Sequence, residues 1–222
     1  MNRMKIDEII TRYGIRAAIF DLDGTLIDNN SYHLQTWKKY LENMGRDISE
    51  EEYNANINGR TNKNALEYIY QRKMTDEEAA PLAMEKEAMY RDLYQPYIAP
   101  VSGLMDLLEQ LAERKIPMAI ATSGIEVNIE FMFNNIPIKP YFTEVVNSSH
   151  IKKGKPDPEI YFKTAERLKV DPSNCLVFED AVVGIAAARA AGMHVIAITT
   201  THTPEELRDA DLLIGNYEEL LK

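Results

Sequence analysis

Short apolar runs alternate with amphipathic helical patterns along this chain, and one long stretch that is helical only breaks the alternation. That arrangement constrains the fold more than any other feature. Ala17-Ala18-Ile19-Phe20 reads as a buried strand, with further strands at Met118–Ala121, Glu144–Asn147, Cys175–Phe178, Val195–Ile198 and Leu212–Ile214. Between them, Leu104, Leu107, Leu108 and Leu111 recur at i, i+3, i+4 and i+7. Tyr161, Ala165 and Leu168 mark another helix, and Ala181 to Ala191 a third. Residues Lys5 to Tyr13 predict a short leading helix that Gly14 ends. Such alternation implies an α/β fold: a Rossmann-like parallel sheet with helices on both faces. Ligands of such sheets bind at the carboxyl ends of the strands.

From Ser31 to about Tyr97 only helical patterns occur. Leu34, Trp37 and Leu41 share one helix face. Ser49-x-x-Glu52 and Thr75-x-x-Glu78 have the spacing of capping boxes. Turn-forming or Pro/Gly residues stand at both junctions, Ile27–Asn30 and Gln95–Gly103. The expected organisation is an α/β core of residues 1–29 and 100–222, with residues 30–99 inserted as an all-α helical cap hinged over the sheet edge that carries Asp21.

At 222 residues and 45% hydrophobic, the chain can bury a sizeable core. A net charge of -10 argues against nucleic acid as a partner. No apolar run approaches the ~18 residues of a membrane span. The charged start, Met1 to Ile10, has no signal-peptide core. One cysteine, Cys175, permits no intrachain disulfide. These observations lead us to expect a cytoplasmic protein, and the lack of an obvious apolar patch a monomer.

The chemistry gathers at strand ends. Asp21-Leu22-Asp23-Gly24-Thr25 follows the first strand. Two carboxylates so placed are costly unless a cation satisfies them. With a divalent metal, one acid can serve as nucleophile and the other as proton carrier, which suggests phosphoryl transfer. Thr122-Ser123-Gly124 suits either a plain helix N-cap or a phosphate cradle. Lys152-Lys-Gly-Lys155-Pro-Asp-Pro158 suits a solvated basic loop, or a turn that aims an ammonium at phosphate. Glu179-Asp180 suits an acidic helix start, or the completion of an oxygen-ligand Mg²⁺ site with Asp21.

Taken in order, these four signals resemble the haloacid dehalogenase-like superfamily, in its β-phosphoglucomutase-like branch with a helical cap. The resemblance runs from Arg16 to Leu221 and includes Tyr32-His33-x-x-x-Trp37 and Gly184. It implies that Asp21 is the nucleophile and Asp23 the general acid/base. It implies that Asp21, Asp23 (through its carbonyl) and Asp180 bind Mg²⁺, with Glu179 close by. Thr122, Ser123 and Lys155 would hold the transferring phosphoryl group. His33 and Trp37, with Gly59, Arg60 and Asn62 of the Asn58–Asn62 loop, would line the substrate site.

The chain departs from the mutases at three places. Asn58 and Asn62 stand where the mutase carries Lys and Arg, and Gly124-Ile125-Glu126 replaces its Ser-Lys-Asn run. Glu126 is expected to repel a second phosphate. Charge-assisted contacts are worth roughly 1.5–3 kcal/mol each, so losing several should disable the grip on a bisphosphate. The expected activity is therefore a Mg²⁺-dependent phosphatase, with sugar phosphates as the leading class. A phosphosugar mutase and a non-catalytic binding protein of the same fold are the alternatives.

Overall fold

In a computed structural model, residues 4–221 are described; residues 1–3 and 222, the outer ends of the two expected core segments, lie outside them. Six strands, β1 (Ala17–Phe20), β2 (Met118–Ala121), β3 (Phe142–Val146), β4 (Cys175–Glu179), β5 (His194–Ile198) and β6 (Leu212–Ile214), form one parallel sheet in the order β3-β2-β1-β4-β5-β6. Strand β1 is central, so both of its neighbours end beside Asp21.

Alternate side chains of a strand enter opposite faces. Ala18 and Phe20 join a core with Leu104, Leu108 and Leu111 of helix α6 (Leu104–Glu113), together with Ile6 and Ile9 of helix α1 (Ile6–Tyr13). Ala17 and Ile19 join the opposite core with helices α8 (Glu159–Leu168) and α9 (Val182–Ala190). Helix α1 ends at Gly14, whose φ of 62° is left-handed.

Strand β3 starts two residues earlier than its apolar pattern suggests and excludes Asn147. There the amide side chain turns back to cap the Ser149 N–H at 3.0 Å, which closes the strand.

Helices α2 (Asn30–Glu42), α3 (Glu50–Asn56), α4 (Asn62–Tyr70) and α5 (Asp76–Tyr94) share a separate core around Trp37, Leu41, Tyr53, Leu66 and Ile69. The Thr75–Glu78 capping box closes in both directions. Ser49 caps α3 with its hydroxyl, while Glu52 instead accepts from the Tyr68 hydroxyl at 2.8 Å. The chain leaves the sheet and returns to it side by side, with Ile27 bridging Pro100 and Val101 N–H bonding Leu26 O at 3.0 Å. Helix α7 (Glu126–Asn135) follows β2 and packs against α5.

Candidate active site

The floor of the site is built from the ends of three neighbouring strands and one loop. Asp21 follows β1, Glu179 ends β4, and Asp180 comes next; all three are buried. One ligand oxygen from each lies within 4.8 Å of the others. Lys155 is also buried, not solvated. Its Nζ donates to Asp21 Oδ1 at 2.7 Å, to Glu179 Oε1 at 2.6 Å and to Ala121 O at 3.2 Å. Glu179 also accepts from the Tyr161 hydroxyl at 2.6 Å and from the Asp180 N–H at 3.1 Å, so its oxygens are already engaged.

Three buried carboxylates thus face one buried ammonium. Burial pushes the Asp21 carboxyl up to about 7, and the Glu179 and Asp23 charges add to it, against the Lys155 charge. Asp180 is pushed well above the carboxylate range by burial first, then by Glu179 and Asp21. For Lys155 burial works downward, but Asp21 and Glu179 outweigh it and raise the ammonium. A floor with surplus negative charge and hard oxygen donors fits a divalent cation such as Mg²⁺. Asn30 Nδ2 and Thr201 Oγ1 both donate to Asp180 Oδ2, at 2.8 and 2.5 Å, which leaves Oδ1 only the long 3.5 Å contact from Thr25.

The turn that follows Asp21 is forced by close packing. Gly24 has φ of 70°, and a Cβ there would lie 2.5 Å from the Asp180 carboxyl carbon. Thr122 and Ser123 follow β2 beside Asp21. The Thr122 hydroxyl accepts from Gly124 N–H at 2.9 Å, and the Ser123 hydroxyl donates to Gly59 O at 2.9 Å. The Lys155–Pro156 peptide is cis.

The opposite wall comes mainly from the helical block, joined by Asn29 just before it and by Asn128 of α7. His33 Nε2 lies 3.4 Å from Asp23 Oδ1, and the ring stacks on Tyr90 at 3.8 Å. Asn29 Nδ2 donates to Asp23 Oδ1 at 2.5 Å. For Asp23 burial works upward, but the His33 charge and the His33 and Asn29 bonds outweigh it and hold the carboxyl below its ordinary range. Lys86 Nζ lies 2.8 Å from His33 Nδ1 and 2.9 Å from Glu87 Oε1, both residues being buried. Asn128 Nδ2 donates to Glu87 Oε2 at 2.7 Å. Burial works upward on Glu87, yet Lys86, His33 and Asn128 bring it down to about 2.

Between floor and wall lies a pocket of about 50 Å³, lined by Asp21, Asp23, Thr122, Ser123 and Asp180 and, from the block, by His33, Trp37, Gly59, Arg60 and Asn62 among others. All the residues expected from the sequence border it except Lys155 and Glu179, which lie behind Asp21. Trp37 belongs both to this wall and to the block's own core, with Lys86 Nζ 5.1 Å from its ring centre. Arg60 and Asn62 also line a much larger open cleft of about 1930 Å³ outside the site, against the Ser148–Pro158 segment.

One expectation needs correction. Glu126 does not line the inner pocket; its carboxylate accepts from Asn147 Nδ2 at 2.6 Å and is turned toward the β3 end. It therefore cannot be credited with repelling a second phosphate. Lys86 joins Arg60 as a second cation on this wall. Sequence reasoning passed over Lys86 and Glu87 because charges inside a helix usually mark a solvated face. It passed over Asn29 and Asn30 because an Asn pair reads as a turn. It also missed Thr201 and His202, although they follow β5 and the strand-end rule could have found them.

Comparison with known proteins agrees with this geometry. The model of the haloacid dehalogenase-like hydrolase family matches residues 18–198. The chain is 32% identical to the validoxylamine A 7'-phosphate phosphatase of Streptomyces hygroscopicus subsp. limoneus, over 92% of this chain and 95% of that one. It is also 32% identical to the fructose-1-phosphate phosphatase of Escherichia coli, over 82% and 95%. The crystal structure of a β-phosphoglucomutase from Clostridium difficile superposes with a TM-score of 0.80, at 28% identity and 93% coverage of each chain. The strand-end acids, the buried lysine and the likeness across nearly the whole length have one explanation: this chain belongs to the haloacid dehalogenase-like hydrolase family.

Proposed function

We propose that this protein is a Mg²⁺-dependent phosphatase that hydrolyses small phosphate esters, sugar phosphates first, through a phosphoryl group carried on Asp21. One observation carries the reading. Asp21 sits among buried acids with a single ammonium at 2.7 Å, while Asp23, two residues on, is held from the helical wall by His33 and Asn29. The two carboxylates thus have different partners, and a divalent cation on the floor would favour the ionised Asp21 that a nucleophile needs.

In this reading Asp21 attacks phosphorus and the ester oxygen leaves with a proton from Asp23. Asp23 then takes a proton from water, which attacks the acyl phosphate and frees phosphate and Asp21. Thr122 and the Ser123 N–H hold the phosphoryl oxygens, and Lys155, from behind Asp21, offsets their charge. Asp21, Asp180 and the Asp23 carbonyl would hold Mg²⁺, which would neutralise charge between Asp21 and the phosphoryl group. Residues 30–99 act as the cap that closes on the core formed by 1–29 and 100–222. The relatives named as phosphatases support the reaction, and the sugar phosphate in one of those names supports the substrate class.

Phosphate release across a panel of sugar phosphates, nucleotides and pyrophosphate tests the reading. Release that needs Mg²⁺ and stops with excess chelator supports it; full activity in chelator overturns the metal's part. A mutase reading is favoured by one feature, the Arg60 guanidinium, which lines the pocket with its buried Nε unpartnered. With β-glucose 1-phosphate and a trace of the 1,6-bisphosphate, free phosphate should outpace glucose 6-phosphate. The reverse ratio would establish the mutase.

A further inference from the structure

The segment that leaves β5 touches the site at three points. Thr200 Oγ1 donates to Gly24 O at 2.5 Å, inside the turn after Asp21. Thr201 Oγ1 donates to Asp180 Oδ2 at 2.5 Å and accepts from Asn30 Nδ2 at 2.6 Å, where the helical block begins. His202 Nε2 lies 3.1 Å from Asn58 Nδ2, in the loop between α3 and α4. Both partners are buried, Asn58 to 5% and His202 to 7% exposure. The other ring nitrogen, Nδ1, is also buried, has no hydrogen-bond partner, and faces Glu206 Oε1 at 3.6 Å.

Asn58 precedes a glycine at which the block packs tightly against the core. Gly59 has φ of 72°, and a Cβ there would lie 2.7 Å from Val183 Cγ2 and 2.9 Å from Ala181 Cβ. Its carbonyl is the one that Ser123 bonds. The loop is thus seated by the ends of β2 and β5 and by the start of α9. Of these contacts, His202–Asn58 is the side-chain pair buried on both sides.

We propose that His202 is a positioning residue for the cap: its ring seats the Asn58–Asn62 loop on the core, and Thr201 beside it ties the same segment to Asp180. One three-residue segment then sets both the placement of the block over Asp21 and the orientation of Asp180. This rests on the phosphatase reading only where turnover is measured.

Trp37 is the only tryptophan, lies in the block and lines the inner pocket, so it reports on how the block is seated. In His202→Ala and Asn58→Ala, acrylamide should quench Trp37 more strongly than in the native protein while the melting temperature stays within about 3 °C. With fructose 1-phosphate, kcat/KM should fall about 10-fold in either single variant, as expected for one buried hydrogen bond. The double variant should be no worse than either single one. Acetyl phosphate has a leaving carboxylate that needs little help from Asp23, so its turnover in His202→Ala should fall less than about 2-fold. His202→Gln, which keeps an acceptor for Asn58, should restore most of the loss. Additive effects of the two variants, unchanged Trp37 quenching, or equal losses on both substrates would overturn the proposal. Should His202→Ala fail to fold, Asn58→Ala removes the same bond from the other side and decides the matter. A native protein that releases phosphate from neither compound would overturn the phosphatase reading and leave Trp37 quenching to judge this one.

Discussion

The floor and the wall of the site carry similar numbers of charged groups but treat them in opposite ways. On the floor, Asp21, Glu179 and Asp180 share one cation, Lys155; even with Tyr161, Asn30 and Thr201 donating as neutral partners, Asp21 and Asp180 are both pushed upward. On the wall, Glu87 and Asp23 face Lys86, His33, Asn29 and Asn128, and both carboxyls are held down. The floor holds surplus negative charge that a bound cation would offset; the wall is already satisfied. Buried charge left unbalanced in this way is a recurrent feature of functional sites. The balanced set fixes geometry, because each member loses most of its freedom to its partners.

The contrast can be broken most sharply at Asp21. Asp21→Asn should abolish phosphate release, because an amide is a poor nucleophile and a poor ligand, yet it removes one of three crowded negative charges. Thermal unfolding should therefore show equal or higher stability, and a marked drop would mean that the floor is already balanced. Asp23→Asn is expected to cost roughly 10²–10⁴-fold in turnover, since it removes only the proton carrier. That loss should be smaller for acyl phosphates, whose leaving groups are weakly basic, and comparing the two substrate types checks it.

On the wall the larger effect should be on stability. Glu87→Gln leaves the Lys86 ammonium buried without its carboxylate, a change that costs about 3–5 kcal/mol. The pH dependence has a definite sign. Glu87 is held at about 2 against an ordinary 4.5, so the pair stabilises fully above 4.5 and is lost as pH falls toward 2. Denaturant unfolding of both proteins should show their gap widest at neutral pH and closing in acid. The smallest effect is expected at Arg60, half-exposed at the pocket mouth with an unpartnered Nε. Arg60→Ala should raise KM about 3- to 10-fold with kcat little changed, as for one lost charge-assisted contact shared with solvent. A large fall in kcat instead would place the guanidinium on the reacting phosphate.

The sheet, the inserted run of helices and the acids of the floor were legible in the order of residues alone. Asp21, Thr122, Glu179 and Asp180 each end or follow a short apolar run, and a parallel sheet delivers such ends to one edge whatever the details of packing. Lys155 was visible as a candidate, but only the fold decided between a solvated loop and a buried ammonium, since that depends on how the turn packs behind Asp21. The wall and the seat of the block were decided by tertiary structure. Which face of α5 turns inward places Lys86 and Glu87 beside His33, and the meeting of Asn58 with His202 joins residues 144 positions apart. A local pattern records which side chains share a helix face or a strand end; it does not record which distant partner will neutralise a buried charge or accept a buried proton. Those choices follow from the packing of whole elements, and in this protein they govern the helical block more than the floor.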